Sequence, residues 1–234
     1  MNLQRALFKT FWLPFYRIFS LRHIRETRQW CSHGLDLTIP PGVFHPGIFF
    51  STPIFLDFLA SVDFNHKTAL DVGTGSGALA LYAAQKGART TAIDINPLAV
   101  QTARENASRM HLPVNCVESN LFQALSPTLF DLVLVNPPYY KKQPDNLAEN
   151  AFFAGEELEY FQRFFREIRP FLGKNTLIWM ILSEDCDWVF ITNEARKNGF
   201  SSSVPYERRH WGERIFVGQF TLTNDSAFSP TAPA

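Results

Sequence analysis

Between residues 68 and 222 the chain alternates between short apolar runs and longer amphipathic segments. The short apolar runs, typical of buried strands, lie at 68–72, 90–95, 114–118, 130–136 and 175–182. The amphipathic segments, typical of helices, lie at 77–87, 97–110, 156–172 and 185–199. Two further strands are predicted at 201–209 and 214–222. Strands that alternate with helices predict a doubly wound α/β sheet with right-handed crossovers.

Before residue 68 the pattern is less regular. Residues 1–30 predict one or two helices, and residues 34–51 predict an ordered loop because they carry three prolines and three glycines. The next apolar segment predicts a helix with Ser51 or Thr52 as its N-cap and Pro53 in its first turn. The expected organisation is a basic N-terminal helical arm (1–33), a main domain (34–223) and a flexible tail (224–234).

Charge narrows the choice of partners. The 234 residues carry 22 basic and 22 acidic side chains, so the chain lacks the overall positive charge of many nucleic-acid-binding domains. Residues 1–30 are an exception, since six basic residues there accompany Glu26 as the single acidic residue. We interpret this arm as a helix packed on the domain, with a helix lying on a membrane surface as the alternative.

The cysteines indicate the redox environment of the protein, and the longest apolar runs indicate whether it crosses a membrane. Cys31, Cys116 and Cys186 are odd in number and too widely spaced along the chain to suggest a metal-ligand pair or a disulfide framework. We therefore expect a reduced, cytoplasmic protein without a metal site. No uncharged apolar run approaches the roughly 18 residues of a membrane span, so no transmembrane segment is expected.

The most informative residues follow the first predicted strand, which runs into the sequence LDVGTGSG. Glycines in such a loop let the backbone turn sharply and approach a ligand closely. Asp71, just before the loop, would repel a pyrophosphate but suits an ammonium or sulfonium group. The loop residues predicted to contact a ligand are Gly73, Thr74, Gly75 and Gly77.

The ends of the next two strands complete a predicted cofactor site. Asp94 follows Gly73 by 21 residues, the offset at which a carboxylate can accept both hydroxyl groups of a ribose, and Ile95 comes next. A ribose, a cationic tail and no phosphate together describe S-adenosylmethionine, which is the predicted cofactor. After the third strand, Asn120 is placed to bond an adenine amine, and Leu121 or Phe122 to pack against the ring. An ordinary polar turn is the alternative there.

The fourth strand runs into VNPPYY, which predicts a rigid edge for holding a planar nitrogen. Asn136 offers a side-chain carbonyl and Pro137 a backbone carbonyl, and both can accept hydrogen bonds from the nitrogen. The prolines stiffen this segment, and Tyr139 can lie against the planar group. The predicted catalytic residues are Asn136, Pro137 and Tyr139, which bind substrate together with Pro138; Asn136 also borders the cofactor. Tyr140 is expected to point away from Tyr139. The alternative for the whole segment is a turn that ends the strand, with tyrosines on the surface.

The motifs LDVGTGSGALAL, AIDINPLAV and LVNPPYY, in that order, resemble those of class I S-adenosylmethionine-dependent methyltransferases that modify planar nitrogens. Over roughly residues 38–222 the chain looks most like the HemK-type protein-glutamine methyltransferases. The resemblance implies a seven-stranded Rossmann-like sheet with its last strand antiparallel, spanning residues 34–223. It also implies that Phe50, Ser51 and Thr52 border the cofactor methionine. Relatives usually carry an aspartate where this chain has Asn120, and their separate N-terminal helical domain is absent or reduced here.

Three functional hypotheses follow from the motifs and the resemblance. The leading one is methylation of a glutamine side-chain amide in a protein substrate, with a translation factor as one candidate. The alternative is methylation of an RNA or DNA base, adenine N6 or guanine N2, with the basic arm on the phosphates. A third is a cofactor-binding scaffold without catalysis, which the intact Asn136–Tyr139 motif disfavours.

Overall fold

A computed structural model describes residues 26–48, 50–210 and 212–223. The strands are β1 (Arg28–Ser32), β2 (Leu35–Ile39), β3 (Thr68–Val72), β4 (Arg89–Asp94), β5 (Val114–Glu118), β6 (Phe130–Val135), β7 (Leu172–Ser183), β8 (Phe200–His210) and β9 (Glu213–Leu222). The helices are α1 (Ser51–Leu59), α2 (Ala78–Gln85), α3 (Pro97–Arg109), α4 (Glu159–Glu167) and α5 (Trp188–Lys197). Short 3-10 helices occupy Leu147–Ala151 and Arg169–Phe171.

Strands β3 to β9 form one seven-stranded sheet in the order β5-β4-β3-β6-β7-β9-β8. Strands β5, β4, β3, β6 and β7 are parallel neighbours, and β9 runs antiparallel to both β7 and β8. The predicted doubly wound sheet with an antiparallel last strand is therefore confirmed. The chain moves outward from β3 in one direction and then returns to β6 on its other side, which creates a switch point between these two strands.

The sheet has a hydrophobic core on each face, because successive apolar side chains of its central strands point to opposite faces. In β6, Leu132 and Leu134 face the core shared with helices α1 to α3, whereas Val133 and Val135 face the core shared with α4 and α5. The apolar face predicted for the segment 156–172 is confirmed. Its residues Leu158, Phe161, Phe165, Ile168 and Leu172 are all buried. The helix itself ends at Glu167, before Pro170, because a proline nitrogen cannot donate to the helix.

The prediction of a helical arm is wrong for residues 28–32, and that of a loop is wrong for residues 35–39. These two segments are β1 and β2, which pair as an antiparallel hairpin. His33 and Gly34 at the turn have φ angles of 54° and 78°, the backbone geometry that a two-residue hairpin turn requires. In β2, Leu35, Leu37 and Ile39 are buried while the residues between them are not. The rest of the predicted arm and the tail, 1–25 and 224–234, lie outside the described residues.

Asn106 on α3 ties this hairpin to the glycine loop. Its Oδ1 accepts a hydrogen bond from the Thr38 backbone N–H at 2.9 Å, and its Nδ2 donates to the carbonyls of Thr38 (3.1 Å) and Ser76 (2.9 Å). Asn106 is 1% exposed, so these bonds satisfy groups that water does not reach. One side chain thus fixes β2, α3 and the loop relative to one another.

We expect Asn106→Ala to lower the free energy of unfolding by about 3 kcal/mol, since three buried backbone groups would lose their partner. Urea denaturation measures this loss. Asn115→Ala is the matched control, because Asn115 is exposed and should change stability by less than about 0.5 kcal/mol. Equal effects of the two substitutions would contradict the role given to Asn106.

Candidate active site

A cavity of about 390 Å³ opens at the carboxyl ends of β3, β4 and β6, the place where ligands bind in sheets of this kind. Strand register explains why the motifs meet there. Val72 of β3 pairs with Ile93 of β4 on one side and with Val135 of β6 on the other, so the three strands end at the same level. The predicted site residues that line the cavity are Gly73, Thr74, Gly75, Asp94, Ile95, Asn120, Leu121, Asn136 and Pro138.

The glycine loop folds back onto β4. The backbone N–H groups of Gly73 and Thr74 both donate to the Ile93 carbonyl at 2.9 Å. Gly73 has a φ of 75°, and a side chain there would point into open space within the cavity, so the backbone is accessible to a ligand. Gly77 does not line the cavity: a Cβ there would lie 2.6 Å from Leu81 and 3.1 Å from Ala103. Helix packing accounts for this glycine.

Asp94 is held rigidly at the cavity wall. One carboxylate oxygen accepts from the Gly75 N–H and the other from the Asn96 N–H, each at 2.9 Å. Burial raises the pKa of Asp94, and the backbone N–H groups oppose that shift. The carboxylate also lines the cavity, so its oxygens are placed to accept hydrogen bonds from ligand hydroxyl groups.

Asp71 lies outside the cavity lining, although a direct ligand contact was expected of it. Its Oδ2 accepts from the Thr74 hydroxyl at 2.7 Å and from the Ala80 N–H at 3.0 Å, which fixes the loop to α2. Its Oδ1 is buried without a partner among the described residues. Burial raises the pKa of Asp71 to about 7, and the bonds from Thr74 and Ala80 oppose this rise. A buried carboxylate behind the loop favours a cationic ligand.

The side-chain amide of Asn136 is oriented by α1. Its Nδ2 donates to the hydroxyl oxygens of Ser51 and Thr52, both at 3.2 Å. The prediction of Ser51 or Thr52 as a helix cap is therefore wrong, and Phe50 is the N-cap, without a side-chain bond. With its nitrogen engaged by α1, Asn136 keeps its Oδ1 as the free acceptor.

Beside Asn136 lies a smaller recess of about 30 Å³ with aromatic walls. Its lining residues are Phe44, Ser51, Asn136, Pro137, Pro138, Tyr139, Tyr140, Ala151 and Phe152. The rings of Tyr139 and Tyr140 have centroids 4.8 Å apart, so the expectation that Tyr140 points away from Tyr139 is wrong. Burial raises the pKa of Tyr139, so its phenol is neutral.

From the sequence, the polar run 141–146 could touch substrate or simply be solvated, and residues 147–155 were not singled out as part of the site. The backbone bonds Tyr140 N–H to Phe152 O (3.1 Å) and Ala154 N–H to Tyr140 O (3.0 Å) close this segment into a loop. Loop residues that line the cavity include Gln143, Pro144, Leu147, Asn150 and Ala151. In the sequence, Leu147 is an apolar residue among polar neighbours, which could have indicated a ligand contact. In the structure its side chain is 49% exposed.

Helix α4 supplies two further residues that the sequence did not single out, Tyr160 and Arg163. Both line the cavity and lie three residues apart, on one side of the helix. The Tyr160 hydroxyl is buried without a partner among the described residues. Arg163 donates to Asn120 Oδ1 at 2.9 Å. The spacing of three residues could have indicated that Tyr160 and Arg163 share one side of the helix. The apolar face of α4 is a stronger pattern in the sequence, so these two residues were not predicted.

The described residues were also compared with the requirements of a metal site and of a membrane-spanning helix, and they meet neither. No group of three or more His, Cys, Asp or Glu residues within 26–48, 50–210 and 212–223 is placed to hold a metal ion. Of the helices in those ranges, none has the length and apolar character needed to cross a membrane.

Comparison with known proteins assigns the larger part of the chain to a family. The family described as "Methyltransferase small domain" matches residues 34–186. The chain belongs to this methyltransferase family. A Methanocaldococcus jannaschii protein named as a candidate protein N5-glutamine methyltransferase is 29% identical over 177 residues, which cover 73% of this chain and 87% of that one. The release factor glutamine methyltransferase of Geobacter sulfurreducens is 31% identical over 121 residues, 51% of this chain and 41% of that one.

Solved structures of methyltransferases share the fold. The E. cuniculi Mtq2–Trm112 complex, responsible for methylation of the eRF1 translation termination factor, matches with a TM-score of 0.62 and 19% identity, covering 78% of this chain and 99% of that one. A T. thermophilus 16S rRNA N2 methyltransferase in complex with AdoMet and guanosine matches with a TM-score of 0.62 and 17% identity, covering 85% and 50%. These likenesses confirm the predicted methyltransferase sheet.

The raised pKa of Asp71 predicts a pH-dependent affinity for the expected cationic cofactor. Asp71 becomes ionised in the free protein as the pH rises through about 7, and the ionised form attracts a cation. The affinity for S-adenosylhomocysteine, which carries an ammonium group, should therefore rise about fivefold between pH 6 and pH 7.5, with release of a proton. Calorimetry measures both quantities. Asp71→Asn should bind with a flat pH profile, and an equal slope in that variant would contradict the assignment.

Proposed function

We propose that this methyltransferase uses S-adenosylmethionine to methylate the side-chain amide nitrogen of a glutamine in a protein. The observation that carries the proposal is the side-chain amide of Asn136, which Ser51 and Thr52 hold through hydrogen bonds and whose Oδ1 accepts no hydrogen bond from the described residues. This oxygen stands where the cavity and the aromatic recess meet, since Asn136 lines both. We assign the methyl transfer to the domain formed by residues 34–223.

The donor set of the cavity fits this cofactor. Asp94 would accept the two ribose hydroxyl groups, while the backbone of Gly73 to Gly75 would lie along the methionine part. Asp71 supplies negative charge behind the loop for the cationic groups. Leu121 and Ile95 provide apolar walls for the adenine. The 390 Å³ cavity falls within the range of pockets that hold ligands of this size.

When bound, S-adenosylmethionine supplies an electrophilic methyl group on a good leaving group. The protein then has to correct the weakness of the nucleophile, because the lone pair of an amide nitrogen is delocalised into its carbonyl group. Asn136 Oδ1 and the Pro137 carbonyl can accept the two N–H bonds of a carboxamide and so hold the lone pair towards the methyl donor. The nitrogen loses its proton after methylation, when it has become acidic, so a strong base is not required.

The recess beside Asn136 is small, at about 30 Å³, and can take a planar group such as the carboxamide at the end of a glutamine side chain. The rings of Phe44 and Phe152, with centroids 5.9 Å apart, form an aromatic wall on which a planar group can lie.

The proposal also includes a class of protein substrate and a cellular setting. A translation factor is the class of protein substrate that the named relatives suggest. The basic arm, which would carry phosphate contacts in a nucleic-acid enzyme, falls largely outside the described residues. The cysteines Cys31, Cys116 and Cys186 are free thiols, in keeping with the proposed cytoplasmic setting.

Incubation of a cell extract with the protein and S-adenosylmethionine labelled in its methyl group tests the proposal. We expect label in macromolecules that protease removes and nuclease does not, with methylglutamine in the labelled peptides. An extract with heat-denatured protein gives the background. Label that nuclease removes would contradict the proposal and support methylation of a nucleic-acid base.

A further inference from the structure

The segment that follows Tyr140 and Lys141 borders the larger cavity and the aromatic recess at the same time. We call residues 142–151 the cap segment. Leu147 of this segment lines the cavity. Ala151 at its end lines both the cavity and the recess. A movement of the cap segment therefore changes the two halves of the site together.

Lys142 links the cap segment internally. Its Nζ lies 2.8 Å from Asp145 Oδ2 and 3.2 Å from Glu149 Oε2, and it stands 4.6 Å from the centre of the Phe153 ring. The Asp145 backbone N–H donates to the same Glu149 oxygen at 3.0 Å. A surface loop that is packed by its own side chains in this way is a compact unit. The cap segment therefore has a defined shape of its own.

The cap segment is bonded to itself rather than to the body of the domain. Among the described residues, all its hydrogen bonds and ion pairs end within residues 140–155. The backbone bond from Gly155 N–H to Lys142 O, at 3.2 Å, holds the two ends of the loop together. None of the residues 142–151 is buried, so little packing fixes the segment against the sheet. Such a unit opens and closes about its ends at a low cost in free energy.

Leu147 shows where the cap segment lacks packing. Its side chain lies at the cavity wall and is nevertheless half-exposed. A ligand that fills the cavity would cover part of this apolar surface, and the removal of apolar surface from water favours the closed position of the segment. The bound cofactor thereby supplies a contact that the protein alone does not provide.

The cap segment is connected to the recess through the backbone of Tyr140. Tyr140 N–H donates to the Phe152 carbonyl at 3.1 Å, and Ala154 N–H donates to the Tyr140 carbonyl at 3.0 Å. Tyr140 lines the recess and does not line the cavity. A ligand in the cavity that stabilises the cap segment therefore also steadies one wall of the recess.

We propose that the cap segment closes over bound S-adenosylmethionine, and that its closure orders the recess that receives the substrate. The recess is then complete only when the methyl donor is in place. This inference rests on the proposed cofactor, and it does not depend on whether the substrate nitrogen belongs to a glutamine or to a base. Closure also excludes water from the reacting groups.

Amide hydrogen exchange with and without saturating S-adenosylhomocysteine tests both parts of the proposal. Exchange in residues 143–151 should slow by about tenfold or more when the compound is bound, because closure makes opening of the segment rarer. Exchange of the Tyr140 amide should slow as well, although Tyr140 does not line the cavity. NMR resolves the individual amides.

Two lysine variants separate closure of the cap segment from a direct contact with the ligand. Lys142 does not line the cavity, so Lys142→Met affects binding only through the cap segment. The dissociation rate of S-adenosylhomocysteine should rise about 5- to 20-fold in this variant, while the association rate stays within about twofold. Lys197→Met breaks a similar surface pair on α5, with Glu194 at 2.6 Å, and should change neither rate. Surface plasmon resonance measures the rates, and thermal melting confirms that each variant is folded.

The outcomes are distinct. Unchanged exchange in residues 143–151, or equal dissociation rates for Lys142→Met and Lys197→Met, would overturn closure of the cap segment. Slower exchange that does not extend to Tyr140 would overturn the link to the recess. Failure of the wild type to bind S-adenosylhomocysteine at all would overturn the cofactor assignment and this proposal with it. A missing glutamine product in the extract experiment leaves these results intact, so failure of the substrate proposal is recognised separately.

Discussion

The register of three parallel strands is the constraint on which the candidate site depends. Val72 pairs with both Ile93 and Val135, so β3, β4 and β6 end level with one another. The glycine loop, Asp94 and Asn136 start from these ends, and they come together although they lie far apart along the chain. A shift of one residue in either pairing would turn the side chains of the shifted strand to the other face of the sheet and move the residue at its end out of the site.

Three polar side chains at the cavity are each held by a hydrogen-bond partner and still have hydrogen-bonding groups that a ligand can use. Asp94 is held by backbone N–H groups, Asn136 by the hydroxyl groups of α1, and Asn120 by Arg163. Prearranged groups of this kind lose little conformational freedom when a ligand binds, so their contacts contribute more to affinity or to rate. The aromatic recess adds a shaped surface beside Asn136, to which Tyr139 and Tyr140 contribute neighbouring rings.

The sequence predicted those parts of the molecule that local patterns determine. The alternation of strands and helices led to the sheet, and the position of the motifs at strand ends led to nine of the residues that line the cavity. The hairpin β1–β2 was not predicted, because the prolines and glycines of residues 34–51 favour a loop. The signals for a hairpin were the His33–Gly34 turn and the alternating apolar residues Leu35, Leu37 and Ile39. The partners of Asn136 and Asn120 are 84 and 43 positions away, at Thr52 and Arg163, and no local pattern reports such contacts.

The most direct test of the central claim, that cofactor binding and nitrogen activation reside in separate groups at one switch point, is a paired measurement on Asn136→Ala. Affinity for S-adenosylhomocysteine and the rate of methyl transfer would be determined on the same preparation. Because Asn136 is proposed to act on the substrate nitrogen, affinity should stay within about threefold of the wild type while transfer falls by about 100-fold or more. Transfer at a rate near that of the wild type would contradict the claim.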